Sequence, residues 1–206
     1  DLKRFNIQNK HSWREEYRKK LGFSDTDCVF GYVGRITRDK GINELLAAFE
    51  KTEIKDKKLL LVGRIESEQT LDKQLLINAR NDRRVIFHQP VDDIEHYYSA
   101  IDVLILPSYR EGFGMVVAEA EAMGIPVIVT DIPGPIDAMI QGKTGLTVKK
   151  TDVDSLRSAM EALANSPETR AEFGVAASQF IAENFDQEKL FKAIAKDRER
   201  LLKMVD

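Results

Sequence analysis

Two carboxylates stand eight positions apart in Glu111-Gly112-Phe113-Gly114-Met115-Val116-Val117-Ala118-Glu119. The first lies beside two glycines, the second inside an apolar, Ala-rich run that reads as helix. Acceptor carboxylates so spaced suit a ligand rich in hydroxyls. Just upstream, Val103-Leu104-Ile105-Leu106-Pro107 reads as a short, buried parallel strand. Strand, glycine-bearing loop and helix, in that order, form a phosphate-binding arrangement. Glycine lets backbone come close, and the helix start offers free N–H groups and a positive dipole end. With a helix starting near Met115, Glu119 falls about one turn in, roughly 6 Å along the axis. A diphosphate at the helix start would put a ribose near Glu119, and Glu111 would face the group on the other phosphate. Read alone, the stretch is equally a helix with two solvated glutamates.

A second constellation is Gly34-Arg35-Ile36-Thr37-Arg38-Asp39-Lys40-Gly41. Arg35 follows a strand-like run, and Lys40 is expected to open a helix. A guanidinium fork and a compact ammonium can together neutralise a diphosphate without metal. Read alone, this too is a solvated basic loop.

The elements that position these residues are legible from periodicity. Residues 1–11 read as a polar linker. Ser12-Trp13-Arg14-Glu15 has the form of a capping box, with Trp13, Tyr17 and Leu21 on one face of the helix it opens and Gly22 at its end. Strands are expected at 28–33, 59–62, 85–87, 103–106, 127–129 and 146–148. Helices are expected at 40–50, 68–80, from Asp92 or Asp93 to Ala100, from Met115 to Gly124, and from Thr151-Asp152 to Ala164. Ser166-Pro167 opens another. A last helix from Asp186 puts Leu190, Ile194 and Leu201 on one stripe, flanked by Phe191. Alternating strands and helices predict an α/β, Rossmann-like parallel sheet with helices on both faces. Ligands of such sheets sit at the carboxyl ends of the strands. Those ends carry Gly34-Arg35, Gly63-Arg64, Pro107-Ser108 with the Glu111 loop, and Thr130-Asp131-Ile132-Pro133-Gly134, so four polar or glycine-bearing loops converge on one rim.

Composition narrows the class. The 206 residues are 43% hydrophobic and 32% charged, which suits one domain with its own core. A net charge of −3 gives no reason to expect nucleic acid. The single cysteine, Cys28, excludes an internal disulfide and fits a reducing compartment. No apolar run approaches membrane-span length. The chain opens Asp1-Leu2 without Met and is expected to be a fragment.

Taken together and in order, these stretches resemble the nucleotide-binding, C-terminal half of retaining GT-B glycosyltransferases. The group is the large family four, with bacterial capsule, lipopolysaccharide and glycan-assembly enzymes among its members. The matching residues are Gly34-Arg35 with Lys40-Gly41, then Glu111-Gly112-Phe113-Gly114 with Glu119. Ala122-Met123-Gly124-Ile125-Pro126-Val127 and Gly142-Lys143-Thr144-Gly145-Leu146 complete the set, so the resemblance covers nearly the whole chain. Asp1-Leu2-Lys3-Arg4-Phe5 is similar to the linker into this domain. The resemblance implies that Arg35 and Lys40 hold the diphosphate and stabilise the leaving nucleotide. It further implies that Glu119 binds the ribose and Glu111 the donor sugar. Gly34, Gly112, Phe113, Gly114, Met115 and Val116 line the donor, and Val91 backbone borders the base. It implies transfer of a hexosyl or N-acetylhexosaminyl group, UDP first among the donors, to a glycan or lipid-linked acceptor in polysaccharide or glycoconjugate assembly. No cofactor or metal is implied. An N-terminal acceptor domain would precede residues 1–206 in the full-length protein. Action is expected in the cytoplasm, with peripheral association at the inner membrane face, and the fragment alone is expected to be inactive. Two rivals remain: a non-catalytic sugar-nucleotide-binding module and a GT-B nucleotide-sugar epimerase. Glu111 as a nucleophile is also open, although a positioning role suits a loop residue better.

The chain departs from the family pattern at Gly63-Arg64-Ile65-Glu66, where Gly-x-Gly-Pro is common, and at Asp137, where many members have Glu. Asp131 to Pro135 resembles a bacterial subgroup. Asp25-Thr26-Asp27 and Asp152-Val153-Asp154 match the Asp-x-Asp of metal-dependent glycosyltransferases but read as a turn and a helix cap. His11, His88 and His96 lack metal-ligand spacing. No Gly-x-Gly-x-x-Gly fingerprint is present. Arg18-Lys19-Lys20 reads as a solvated helix face.

Overall fold

Six parallel strands form one sheet: β1 (Cys28–Val33), β2 (Lys57–Val62), β3 (Val85–His88), β4 (Val103–Leu106), β5 (Val127–Thr130) and β6 (Gly145–Val148). Their order is β3-β2-β1-β4-β5-β6. The computed structural model describes residues 1–186 and, beyond them, positions 195 and 198 alone. Strands β4 and β5 are buried throughout, as their unbroken apolar runs require when helices cover both faces. The edge strands β3 and β6 are half-buried over part of their length.

The helices are α1 (Ile7–Lys20), α2 (Ile42–Lys51), α3 (Lys73–Asn81), α4 (Ile94–Ser99), α5 (Met115–Ala122), α6 (Val153–Ala164) and α7 (Pro167–Asn184). Strand order runs outward in opposite directions from the β1–β4 pair. Right-handed crossovers therefore put α2 and α3 on one face and α5 on the other. Helix α6 returns to pack on α2, α7 packs on α5, and α1 packs on α4. Phe30, Leu60, Leu104 and Ile128 lie at the centre with no solvent exposure. Truncating such a side chain to Ala costs about 2–5 kcal/mol.

Several expectations need correction. Residues 1–11 are not a linker. Asn6 caps α1 by accepting from Asn9 N at 2.9 Å, and Phe5 is buried edge-on against the Tyr98 ring. Ser12 is not a cap. It lies one turn into the helix and donates to Gln8 O. Arg18 is not solvated. It is fully buried and donates to Asp102, Ala100 O, Ser24 O and Asp27 O. Asp102 also takes Arg14 and Val29 N, so α1 is tied to the starts of β1 and β4. Strand β2 begins two residues early because Lys57 is buried, its Nζ donating to Phe49 O, Thr52 O and Thr52 Oγ1 at 2.5–2.7 Å. A cation there complements the C-terminal end of α2. The helix expected over 68–80 splits into a 3-10 turn, Glu68–Thr70, and α3. Asp72 interrupts it by accepting from Gln74 N and Leu75 N. The stripe of Leu190, Ile194 and Leu201, with Phe191, lies outside the described residues.

Candidate functional site

The strand order reverses between β1 and β4, and ligands of open α/β sheets bind outside the carboxyl ends at such a point. Lys40 does not open a helix. It ends a 3-10 turn, Arg38–Lys40, and α2 begins at Ile42 after Gly41. Gly41 has φ +71°, and a Cβ there would lie 2.0 Å from Pro107 O, so glycine is required where this turn meets the end of β4. Tyr109 N donates to Asp39 O at 2.8 Å and fastens the two loops together. As a result Lys40 Nζ donates to Glu111 Oε1 at 2.6 Å, with side chains only 15% and 16% exposed. Ser108, fully buried, donates its Oγ to the same oxygen at 2.8 Å.

Gly114, with φ +76°, is the residue before α5; no side chain caps this helix start, and of its first-turn N–H groups Val117 N turns back to Gly114 O at 2.8 Å. The loop after β5 presses on this one from below. A Cβ on Gly134, which has φ +101°, would lie 1.7 Å from Gly112 O. Glu119, one turn into α5, is half-buried and accepts from Tyr98 OH at 3.1 Å. Burial pushes its carboxyl above the ordinary range, and the Tyr98 bond partly offsets this. The same stretch holds a third carboxylate that faces the core. Glu121 is fully buried, takes Thr144 Oγ1 at 2.6 Å, and is pushed up by burial to about 8.

A cleft of about 380 Å³ runs along the strand ends, lined by Gly34, Arg35, Gly63, Val91, Ile94 and Glu119 among others. Arg35 and Lys40 were expected to act as one phosphate clamp, but in this structure they stand apart. The Arg35 side chain is 59% exposed and donates to Glu66 at 3.3 Å, while its carbonyl takes Tyr32 OH. The divergent loop after β2 thus supplies the Arg35 partner. Phe113 packs at a tilt against Phe185 with ring centroids 5.2 Å apart. Met115 is 60% exposed, Gly112 is exposed, and Val116 is half-buried. Phe113, Met115 and Glu119 border an apolar hollow of about 570 Å³ with Leu2, Phe5 and Ile181.

Tyr98 was not anticipated, and Ser108 was placed on the rim without its bond to Glu111. Ser108 left one signal, a polar residue just past the carboxyl end of an apolar strand. Tyr98 left none, because only the packing of α4 against α5 brings it to Glu119. The two Asp-x-Asp runs are structural: Asp27 accepts from Ser24 N in a turn, and Asp152 caps α6 at Ser155 N. His88 meets Gln89 O and Tyr97 OH, and His96 packs among Trp13, Tyr17 and Asp93. Among the described residues no group of three or more His, Cys, Asp or Glu is placed to hold a metal ion. None of the described helices is long and apolar enough to cross a membrane.

Comparison with known proteins follows the same geometry. The chain is 32% identical over 195 residues to the capsular polysaccharide biosynthesis glycosyltransferase CapM of Staphylococcus aureus, covering 94% of this chain and 50% of CapM. It spans about half the length of the curated relatives it matches. Its fold superposes on Anabaena HepE, solved with UDP, with a TM-score of 0.85 at 23% identity, over 95% of this chain and 56% of HepE. It also superposes on the solved C-terminal domain of a Francisella tularensis group 1 glycosyl transferase, LpcC. There the TM-score is 0.75 at 21% identity, over 84% of this chain and 93% of that one. The family model described as glycosyl transferases group 1 matches residues 13–180, from the first helix to α7, and the chain belongs to that family.

Proposed function

We propose that this chain is the donor-binding, C-terminal half of a nucleotide-sugar-dependent, retaining glycosyltransferase of polysaccharide or glycoconjugate assembly. The observation that supports it most is the enclosed Lys40–Glu111 pair at the point where strand order reverses, beside the start of α5. A donor diphosphate replaces Glu111 as the partner of Lys40. Ser108 keeps its bond to the Glu111 carboxylate, whose free acceptor capacity turns to the sugar hydroxyls. Lys40 and the first N–H groups of α5 then face the leaving diphosphate, where negative charge develops in the transition state. Glu119, oriented by Tyr98, accepts from the ribose, and Arg35 swings from Glu66 to a phosphate oxygen. Val91 borders the base. Protein groups supply the positive charge, so the reading is metal-independent.

UDP is the proposed nucleotide, on the likeness to HepE, which was solved with UDP. A glycan or lipid-linked acceptor and a preceding acceptor domain are proposed from the relatives, of which this chain spans half. Action in the cytoplasm, at the inner membrane face for a lipid-linked acceptor, belongs to the same reading.

The test is a thermal-shift panel of UDP-, GDP- and ADP-sugars in chelator, followed by transfer assays. A UDP-sugar should raise the melting temperature most. The chain alone should not glycosylate an acceptor, whereas the protein with its preceding domain should. Absence of a shift with every nucleotide sugar would overturn the donor-site reading. A new nucleotide sugar formed from donor alone would make it an epimerase.

A further inference from the structure

We propose that the basin beside the Lys40–Glu111 pair is an acceptor subsite for a sugar bearing an anionic group. The inference rests on the donor-site reading above and extends it to the other substrate.

The basin measures about 480 Å³ and lies alongside the donor cleft, with which it shares Arg35 and Glu66. Its walls come from the two loops that make the donor corner. Arg38 stands two residues before Lys40, and Arg110 immediately before Glu111. The Tyr109 N to Asp39 O bond holds these loops together, so Arg38 and Arg110 line one basin beside the loop residues assigned to the donor. The far wall is the divergent loop after β2, through Glu66, Ser67 and Thr70. Tyr109 is fixed in the near wall by its OH, which donates to Glu44 at 2.8 Å.

The charges in the basin favour an anion. Three guanidiniums face two carboxylates, and both carboxylates are engaged. Asp39 Oδ1 accepts from Thr37 Oγ1 at 2.6 Å, and Glu66 takes Arg35. Arg110 is 86% exposed and only 4.0 Å from Asp39, the outer limit of an ion pair. Arg38 is exposed and hydrogen-bonds the Tyr109 phenol. With five N–H donors each, Arg38 and Arg110 keep donors beyond Tyr109 and Asp39 for an outside anion, and guanidinium is suited to carboxylate or phosphate. Ser67 adds an exposed hydroxyl, and Thr70, whose Oγ1 donates to Ser67 O, adds an acceptor that a sugar can bond. An acceptor anchored there by charge would be held at a fixed angle to the donor, which is what bimolecular transfer requires.

The experiment is calorimetry on this chain in two steps, first UDP to saturation, then glucuronate, glucose 6-phosphate or glucose. UDP blocks the donor corner, and the two anionic sugars separate a carboxylate from a phosphate preference. At least one anionic sugar should bind more tightly than glucose. The Arg38→Gln, Arg110→Gln double variant should lose about tenfold of that affinity. Its UDP affinity should be unchanged, and both side chains are exposed, so the fold should persist by circular dichroism. Equal binding of glucose and both anions, or full affinity in the double variant, would overturn the subsite. Loss of UDP affinity in the double variant would overturn it too, by giving the arginines to the donor diphosphate. Failure of UDP to bind the unmodified chain would instead sink the donor-site reading, and this inference with it.

Discussion

The Lys40–Glu111 and Arg35–Glu66 pairs both follow strand ends on one rim, five residues apart on one side, yet they differ in kind. The first is short, enclosed and buttressed by buried Ser108. The second spans 3.3 Å between side chains 59% and 39% exposed. An exposed pair contributes about 0–1 kcal/mol and is screened by salt. Breaking an enclosed pair leaves a charge with neither partner nor full hydration, at greater cost. In the proposed reading the enclosed corner is the preorganised part of the donor site, with Glu111 set beside Lys40. In the same reading the exposed Arg35 is the group that changes partner. Binding at the corner should depend strongly on residue identity, and binding at Arg35 on ionic strength.

The largest expected effect is that of Lys40→Ala. It removes a charge-assisted contact worth about 1.5–3 kcal/mol, so UDP affinity should fall tenfold to hundredfold by calorimetry. It also leaves the enclosed Glu111 charge with Ser108 but no cation, so the melting temperature should drop. Glu111→Gln comes next and should act in the opposite sense on the nucleotide. With Lys40 released, UDP should bind no more weakly, while a UDP-sugar should lose about tenfold. Equal losses for both ligands would remove Glu111 from the sugar.

A smaller effect concerns Glu119. Burial raises its carboxyl, so as pH falls it protonates before an ordinary carboxylate does, and UDP affinity should fall with it. Tyr98→Phe removes the bond that opposes this shift. The acid loss should then start at higher pH in a pH series of UDP titrations. Arg35→Ala should cost about threefold or less, within the range of an exposed pair, and the deficit should vanish in high salt. The smallest effect on binding, none, is expected for Glu121→Gln, which faces the core. Its readout is stability. The folded state holds a proton at Glu121 up to about pH 8 that the unfolded chain releases near the ordinary glutamate value. Stability should therefore fall as pH rises through that window, and the substitution should flatten the slope of melting temperature against pH.

The sheet was legible because each strand is a short apolar run closed by Gly, Pro or a polar residue, and buried parallel strands have that composition. The glycine-rich loop and α5 were legible for a related reason: Gly41, Gly114 and Gly134 stand where positive φ or a close backbone approach excludes other residues. What escaped was set by distant contacts. Asn6 caps α1 without the acidic partner that makes a capping box readable, whereas Ser12 has that partner and caps nothing. Arg18 sits in a basic run and is buried because Asp102 waits for it across the fold. Lys40 and Arg35 share one loop, but the Tyr109–Asp39 bond turns Lys40 inward and leaves Arg35 outside.

The most direct test of the donor corner is a calorimetric comparison of UDP with uridine, in chelator, for the unmodified chain and Lys40→Ala. UDP should bind the unmodified chain more tightly than uridine without metal, and Lys40→Ala should erase most of that advantage while leaving uridine unaffected. Equal affinity for UDP and uridine, a strict need for added Mg²⁺ or Mn²⁺, or an undiminished UDP advantage in the variant would contradict it.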